Sequence, residues 1–196
     1  MSWWNLDSDQ NESKREYLAR VKFDEIVYKR AKSFQEIIDD KLDENVQIRV
    51  ITDKSFNAIA VLEYLRKFYQ VEEIYIAIYR MNEQSARKII EYVQSDGMQA
   101  NIIVSSFFRN NKNYEKWAKN LVSFASGNDK LRISFAWNHA KVLIAKTKSG
   151  EHIVFEGSGN LSDNARIEQY LIENNSETYQ FHKQWMDNVL NQSINQ

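Results

Sequence analysis

"NHAKVLIAKTKSGEHIVFEGSGN", residues 138–160, holds two runs of β-branched and apolar residues around a short polar turn. "KVLIAKT" (141–147) and "HIVFEGS" (152–158) read as strands, and Lys148-Ser149-Gly150-Glu151 reads as the turn of a hairpin. With Ser149-Gly150 as a two-residue loop, Lys148 faces Glu151 and paired residue numbers sum to 299. That register sets Lys141 opposite Ser158 and His139 opposite Asn160. Side chains alternate across a strand, so these four are expected on one face. A slip of one residue would scatter them.

Working outward, the chain upstream alternates between strand and helix signals. "VQIRVIT" (46–52), "EIYIAIY" (73–79) and "QANIIVSSF" (99–107) read as strands. Helices are expected over 55–69, after the cap-like Asp53, over 82–97, ending at a glycine, and over 112–126. This rhythm implies parallel strand pairs with helices packed on the sheet faces. "LRISFAW" (131–137) then enters the hairpin with no room for a helix, "RIEQYLI" (166–172) is a further strand, and 177–190 closes as a helix. The fold class is therefore α/β, a mixed β-sheet sandwiched between α-helices. Before it, Tyr17, Leu18, Val21, Ile26, Val27, Phe34, Ile37, Ile38 and Leu42 recur at three- and four-residue steps, which predicts an N-terminal helical extension over 12–43. The expected division is a tail and helical extension at 1–44 and one domain at 45–196.

Composition narrows the function classes. The chain has 196 residues, 43% hydrophobic and 27% charged, ordinary for a globular protein with a sizeable core. No apolar run approaches a membrane span, and the N-terminus shows no basic-then-apolar signal, so a cytoplasmic location is expected. Zero cysteines exclude disulfides, zinc–thiolate sites and a cysteine nucleophile. The three histidines are scattered without ligand spacing, so neither a metal nor another cofactor is expected. A net charge of −1 argues against binding driven mainly by phosphate neutralisation, though not against a local basic groove.

The expected patch joins an imidazole, an ammonium, a hydroxyl and an amide. Lys141, Ser158 and Asn160 can donate to phosphate oxygens, and the glycines of Gly157-Ser158-Gly159-Asn160 let the backbone come close. As a histidine, His139 can serve as nucleophile or general acid. A carboxylate is wanted to orient it, and Glu168 on the next strand is the candidate. Taken alone, His139 reads as structural and the glycine run as a turn; together in register they do not. Arg109 and Lys112, after the third strand, are candidate nucleic-acid contacts. His152 and His182 are expected to be solvated or packed, and Trp137 to be a core or rim residue rather than a base-stacking platform.

This constellation resembles the phospholipase D superfamily, whose signature is His-x-Lys-x4-Asp followed by Gly-Ser-x-Asn. His139-Ala140-Lys141 matches the first half and Gly157-Ser158-Gly159-Asn160 the second, and "NARIEQYLI" is similar to the segment bearing the family's acidic residue, placed at Glu168. The family has aspartate where this chain has Lys146, which alternation points away from His139 and Lys141. The resemblance implies a phospholipase D-like domain over 45–196 and metal-independent phosphodiester cleavage through a phosphohistidine on His139, with Lys141, Asn160 and Glu168 in the machinery. The family completes its site with a second copy of the motif. This chain has one His-x-Lys, so the resemblance implies a homodimer sharing its active site. A nuclease acting on DNA or RNA is the leading expectation. A catalytically weak nucleic-acid or protein-binding relative and a hydrolase of lipids or other small phosphodiesters are the alternatives.

Overall fold

Strands and helices alternate from Val46 to Ser126, and four strands then follow before a closing helix. The computed structural model describes residues 22–52, 56–109, 116–162 and 167–192. In order these form β1 (Glu25–Ala31), β2 (Val46–Thr52), α1 (Ile59–Phe68), β3 (Val71–Ile78), α2 (Glu83–Asp96), β4 (Gln99–Ser105), α3 (Lys116–Ser126), β5 (Leu131–Ala136), β6 (Lys141–Thr147), β7 (His152–Gly157), β8 (Glu168–Asn174) and α4 (Ser176–Gln192). One sheet joins the strands in the order β1-β2-β8-β7-β6-β3-β4-β5. The outer pairs are parallel and the four central pairings antiparallel, so the sheet is mixed as expected.

Burial on both faces explains why β3, β4 and β6 are nearly continuous apolar runs. Ile74, Ile76, Ile102, Val104, Leu143 and Phe155 join the core beneath α1, α2 and α3. Tyr75, Ala77, Ile103, Val142, Ile144 and Val154 face α4 with Tyr179, Met186 and Leu190. Local signals fix the helix ends: Asn82 accepts from Ser85 N–H at the start of α2, and Gly97 closes it in the left-handed region. The Oδ1 of Asn57 accepts from Ile59 N–H at 3.1 Å at the start of α1; Asp53 lies outside the described residues.

Two expectations fail. The helix over 12–43 is not formed where the chain is described: Glu25–Ala31 is a strand, parallel to β2 along all seven residues, and Phe34–Glu36 is a 3-10 turn. Residues 12–21 lie outside the described residues. The helical spacing arose by joining Ile26 and Val27, on an edge strand of high β-propensity, to Phe34, Ile37, Ile38 and Leu42, which are buried one by one from an irregular segment. The hairpin register is also off by one. Val142 pairs with Glu156 and Lys146 with His152, so paired numbers sum to 298. The loop holds three residues, Lys148, Ser149 and Gly150, because Thr147 N–H bonds Glu151 O at 3.1 Å. Gly150 takes φ +102°, the glycine position of a three-residue hairpin loop.

Candidate active site

The carboxyl ends of β2, β3, β4, β5 and β7 and the amino ends of β6 and β8 fall at one edge of the sheet. The motif residues gather there, at the strand ends where ligands bind in sheets with parallel pairs. His139 lies in the link from β5 to β6 and is exposed; Lys141 is the first residue of β6. Asn138 shapes that link. Its amide donates to Ile78 O at 3.2 Å and Ile103 O at 3.3 Å, and its Oδ1 accepts from Ala140 N–H at 2.8 Å. The residue before the histidine is thereby tied to the ends of β3 and β4.

Lys141 Nζ stands 3.2 Å from His139 Nδ1 and donates to His139 O at 2.8 Å. It also lies 5.7 Å from the centre of the Tyr79 ring, against which His139 packs at 4.7 Å. Burial pushes the ammonium below its ordinary value, and the nearby charge of Glu168 opposes that shift. An ammonium has no acceptor, so in this contact Nδ1 can only accept.

On the facing strands, Ser158 Oγ donates to Glu168 Oε2 and accepts from Gln169 N–H at 3.0 Å. Glu168 is buried, and its backbone exchanges hydrogen bonds with Thr52 Oγ1 at the end of β2. Asn160 Oδ1 accepts from Arg80 N–H at 3.2 Å, and Leu161 bridges to Met81, so the glycine-containing loop is sewn to the end of β3. The two glycines serve space rather than backbone freedom, since neither has a positive φ. A Cβ at either would run into the ring of Tyr170, which stacks between Phe56 and Phe155.

The fold thus brings His139 beside Lys141 and Ser158 beside Glu168, with Glu168 close enough for its charge to act on Lys141. The one-residue register shift does not scatter them, because strand alternation ends at Gly157 and the loop beyond it follows its own path. Asn160 joins through the backbone of Arg80 rather than through the other four side chains. Lys146 lies on the α4 face and pairs with Glu72 at 3.0 Å, remote from the motif as alternation required. Arg109 is exposed just past the 3-10 turn Ser106–Phe108; Lys112 lies outside the described residues. His152 packs on Tyr179, and buried His182 accepts from the Trp185 indole and meets Glu156 at 3.0 Å, so both are packing residues. Trp137 is exposed at the rim.

Three contributors escaped the sequence reading: Asn138, Thr52 and Tyr79. The first carried a usable signal, an asparagine at a strand junction being a residue that bonds backbone locally. Thr52 and Tyr79 are reached only across the sheet, from the end of β2 and from the residue after β3.

No family profile matches the sequence, and no curated protein does. Nineteen solved chains match in structure. NucT from Helicobacter pylori matches with a TM-score of 0.51 at 21% identity, over 74% of this chain and 96% of its own. Nuc from Salmonella typhimurium, a phospholipase D family member, matches with a TM-score of 0.46 at 16% identity, over 62% and 79%. The archaeal chromatin protein TrmBL2 matches with a TM-score of 0.48 at 13% identity, over 74% of this chain and 52% of its own. No described helix is long and apolar enough to cross a membrane.

Proposed function

We propose that this chain, which has the phospholipase D-like fold, is a metal-independent phosphodiesterase that cleaves nucleic acid, DNA foremost, at a site shared by two copies. The observation that carries the reading is the pairing of His139 with Lys141 at 3.2 Å, at the sheet edge that also holds Ser158, Asn160 and Glu168. Lys141 and Asn160 supply donors for the non-bridging oxygens of a phosphodiester. When phosphate draws the ammonium of Lys141 away from Nδ1, the imidazole proton is free to sit on Nδ1, leaving the Nε2 lone pair for attack. The P–Nε2 bond forms as the P–O bond to the leaving group breaks, and the same histidine of the second copy donates the leaving oxygen its proton. Water then adds to phosphorus, giving a proton to that second histidine, the P–N bond breaks, and both histidines are restored. Glu168 acts beside this step, holding Ser158 and placing a negative charge near Lys141.

A second reading, nucleic-acid binding without turnover, is favoured by Lys146, which occupies the family's aspartate position and is tied instead to Glu72. Cleavage of DNA and RNA in excess chelator separates the two. The enzyme reading expects chelator-resistant cleavage that disappears in His139→Ala and Lys141→Ala. Cleavage abolished by chelator refutes the phosphohistidine route. Tight binding with no cleavage of DNA, RNA or a generic phosphodiester selects the second reading. A monomeric mass in solution leaves half a site and removes the dimer.

A further inference from the structure

Beside the His139–Lys141 pair, β4 and β5 end in two exposed aromatic side chains. Ser105 and Ala136 are partners at the last rung of that parallel pair; Trp137 follows Ala136 directly, and Phe107 follows Ser105 after one residue, in the 3-10 turn Ser106–Phe108. Both break the usual pattern of burial, Phe107 being 49% exposed and Trp137 73% exposed. Phe107 is held in place: Ser105 Oγ accepts its N–H at 3.4 Å, and its ring stands edge-on to buried Phe108 at 5.3 Å, which in turn packs on Trp117. Tyr79 lies between Phe107 and His139, nearly parallel to Phe107 (27°, centroids 6.4 Å apart) and 4.7 Å from the His139 ring. A run of rings therefore leads from His139 through Tyr79 to Phe107, while Trp137 stands two residues before His139 in the chain.

We infer that Phe107 and Trp137 form a stacking platform for an unpaired base flanking the phosphodiester held at His139, so that the substrate is single-stranded nucleic acid. This rests on the reading of His139 and Lys141 as phosphate-facing groups. Every base presents a π-face to such a platform, so the recognition is tolerant of sequence. A base in a duplex has both faces covered by its neighbours and reaches Phe107 or Trp137 only after unstacking. An acyl chain is the weaker occupant, because two separate rings do not make the contiguous apolar patch that a lipid surface needs. Arg80 and Arg109, exposed a few residues beyond β3 and β4, supply positive charge for the flanking backbone.

The test is binding of labelled oligomers, read by fluorescence anisotropy in a His139→Asn background that cannot form a phosphohistidine. The probes are a short oligothymidylate, an oligomer of equal length built of abasic sites, and a duplex of the same thymidylate. The platform expects the thymidylate to bind about tenfold more tightly than the abasic oligomer, and more tightly than the duplex. That ratio should fall toward one in Phe107→Ala and Trp137→Ala and be kept in Trp137→Tyr, with circular dichroism establishing that each variant is folded. A ratio near one in the parent, a ratio untouched by both alanine substitutions, or absence of binding to every oligomer overturns the inference. So does a ratio near one combined with phosphatidylcholine-vesicle binding that the alanine substitutions abolish. Failure of the phosphodiesterase reading shows separately, as absence of thymidylate cleavage by the unsubstituted chain, and leaves the binding ratio readable.

Discussion

Gly159→Ala should destabilise the protein through one identifiable atom. The glycine is buried, and its φ is not in the left-handed region, so alanine is tolerated by the backbone and opposed by space alone. A Cβ there would overlap Tyr170 Oη and sit 3.1 Å from Cζ and 3.2 Å from Cε1. Tyr170 is 3% exposed and has Phe56 stacked at 4.6 Å and Phe155 at 5.1 Å, so its ring has little room to yield. Overpacking of this kind costs about 1–3 kcal/mol. At about 2–4 °C per kcal/mol for a chain of this size, the expected loss in Tm is about 2–12 °C. In a Tyr170→Phe background the overlapping oxygen is gone, and the two remaining approaches, at 3.1 and 3.2 Å, need shifts of only a few tenths of an ångström. The cost of Gly159→Ala should then drop by at least about 1 kcal/mol, read as the coupling energy of a double-mutant cycle in urea. Gly157→Ala is the contrast. Its Cβ would meet Tyr170 Cδ1, with Cε1 at 2.8 Å and Gln169 O at 2.9 Å, all of which survive in phenylalanine. Its cost should therefore be the same in both backgrounds. Equal costs for Gly159→Ala in the two backgrounds, or no cost at all, would refute the claim that the ring of Tyr170 dictates the glycines.

Asn138→Ala should cost about 1–3 kcal/mol in a urea melt, because it strands the Ile78 and Ile103 carbonyls, and it should lower cleavage further by releasing His139. Asn138→Asp, which keeps the acceptor for Ala140 N–H but turns a carboxylate oxygen toward the two carbonyls, should cost at least as much. Lys141→Met should abolish cleavage while shifting the pH dependence of stability. Because burial lowers the native ammonium below 10.5, the unfolded chain binds more protons as pH rises toward that value, so the native form of the parent gains on the variant there. Melts whose difference stays constant between neutral pH and that value would contradict it. Asp187→Asn tests the α4 face. Burial raises that carboxyl, but Lys183, Tyr75 and Arg132 together hold it below its ordinary 3.8. The substitution should cost about 1–2 kcal/mol at neutral pH, and the cost should fade as pH falls below that value, where the native carboxylate takes up its proton.

The strands were readable because β-branched runs in β2, β3, β4 and β6 are long, apolar and bounded by polar turns, and both halves of the motif fall at strand ends where side chains converge. The register was not, and the reason is local. Lys148-Ser149-Gly150-Glu151 suits either a two-residue or a three-residue loop, and the choice is made by Thr147, whose hydroxyl accepts Glu151 N–H at 3.0 Å while Gly150 adopts its positive φ. Neither interaction has a signature in hydrophobic pattern. The role of Glu168 was half legible. A carboxylate was expected at the site, but it was assigned to the second ring nitrogen of His139, where the structure has Lys141. Its bonded partner Ser158 sits on the antiparallel neighbour, and pairing across β7 and β8 puts Gly157 opposite Tyr170, hence Ser158 beside Gln169 and Glu168. The glycines of the motif invite a ligand-centred explanation, yet the residue that demands them is Tyr170, two positions beyond the acid. The Gly-Ser-Gly-Asn run and the glutamate segment are thus one packing unit: Tyr170 presses on the glycines, and that closeness lets Ser158 reach Glu168. Activity of a variant at Tyr170 is therefore expected to fall with the Ser158–Glu168 contact, even though the ring touches no reacting group.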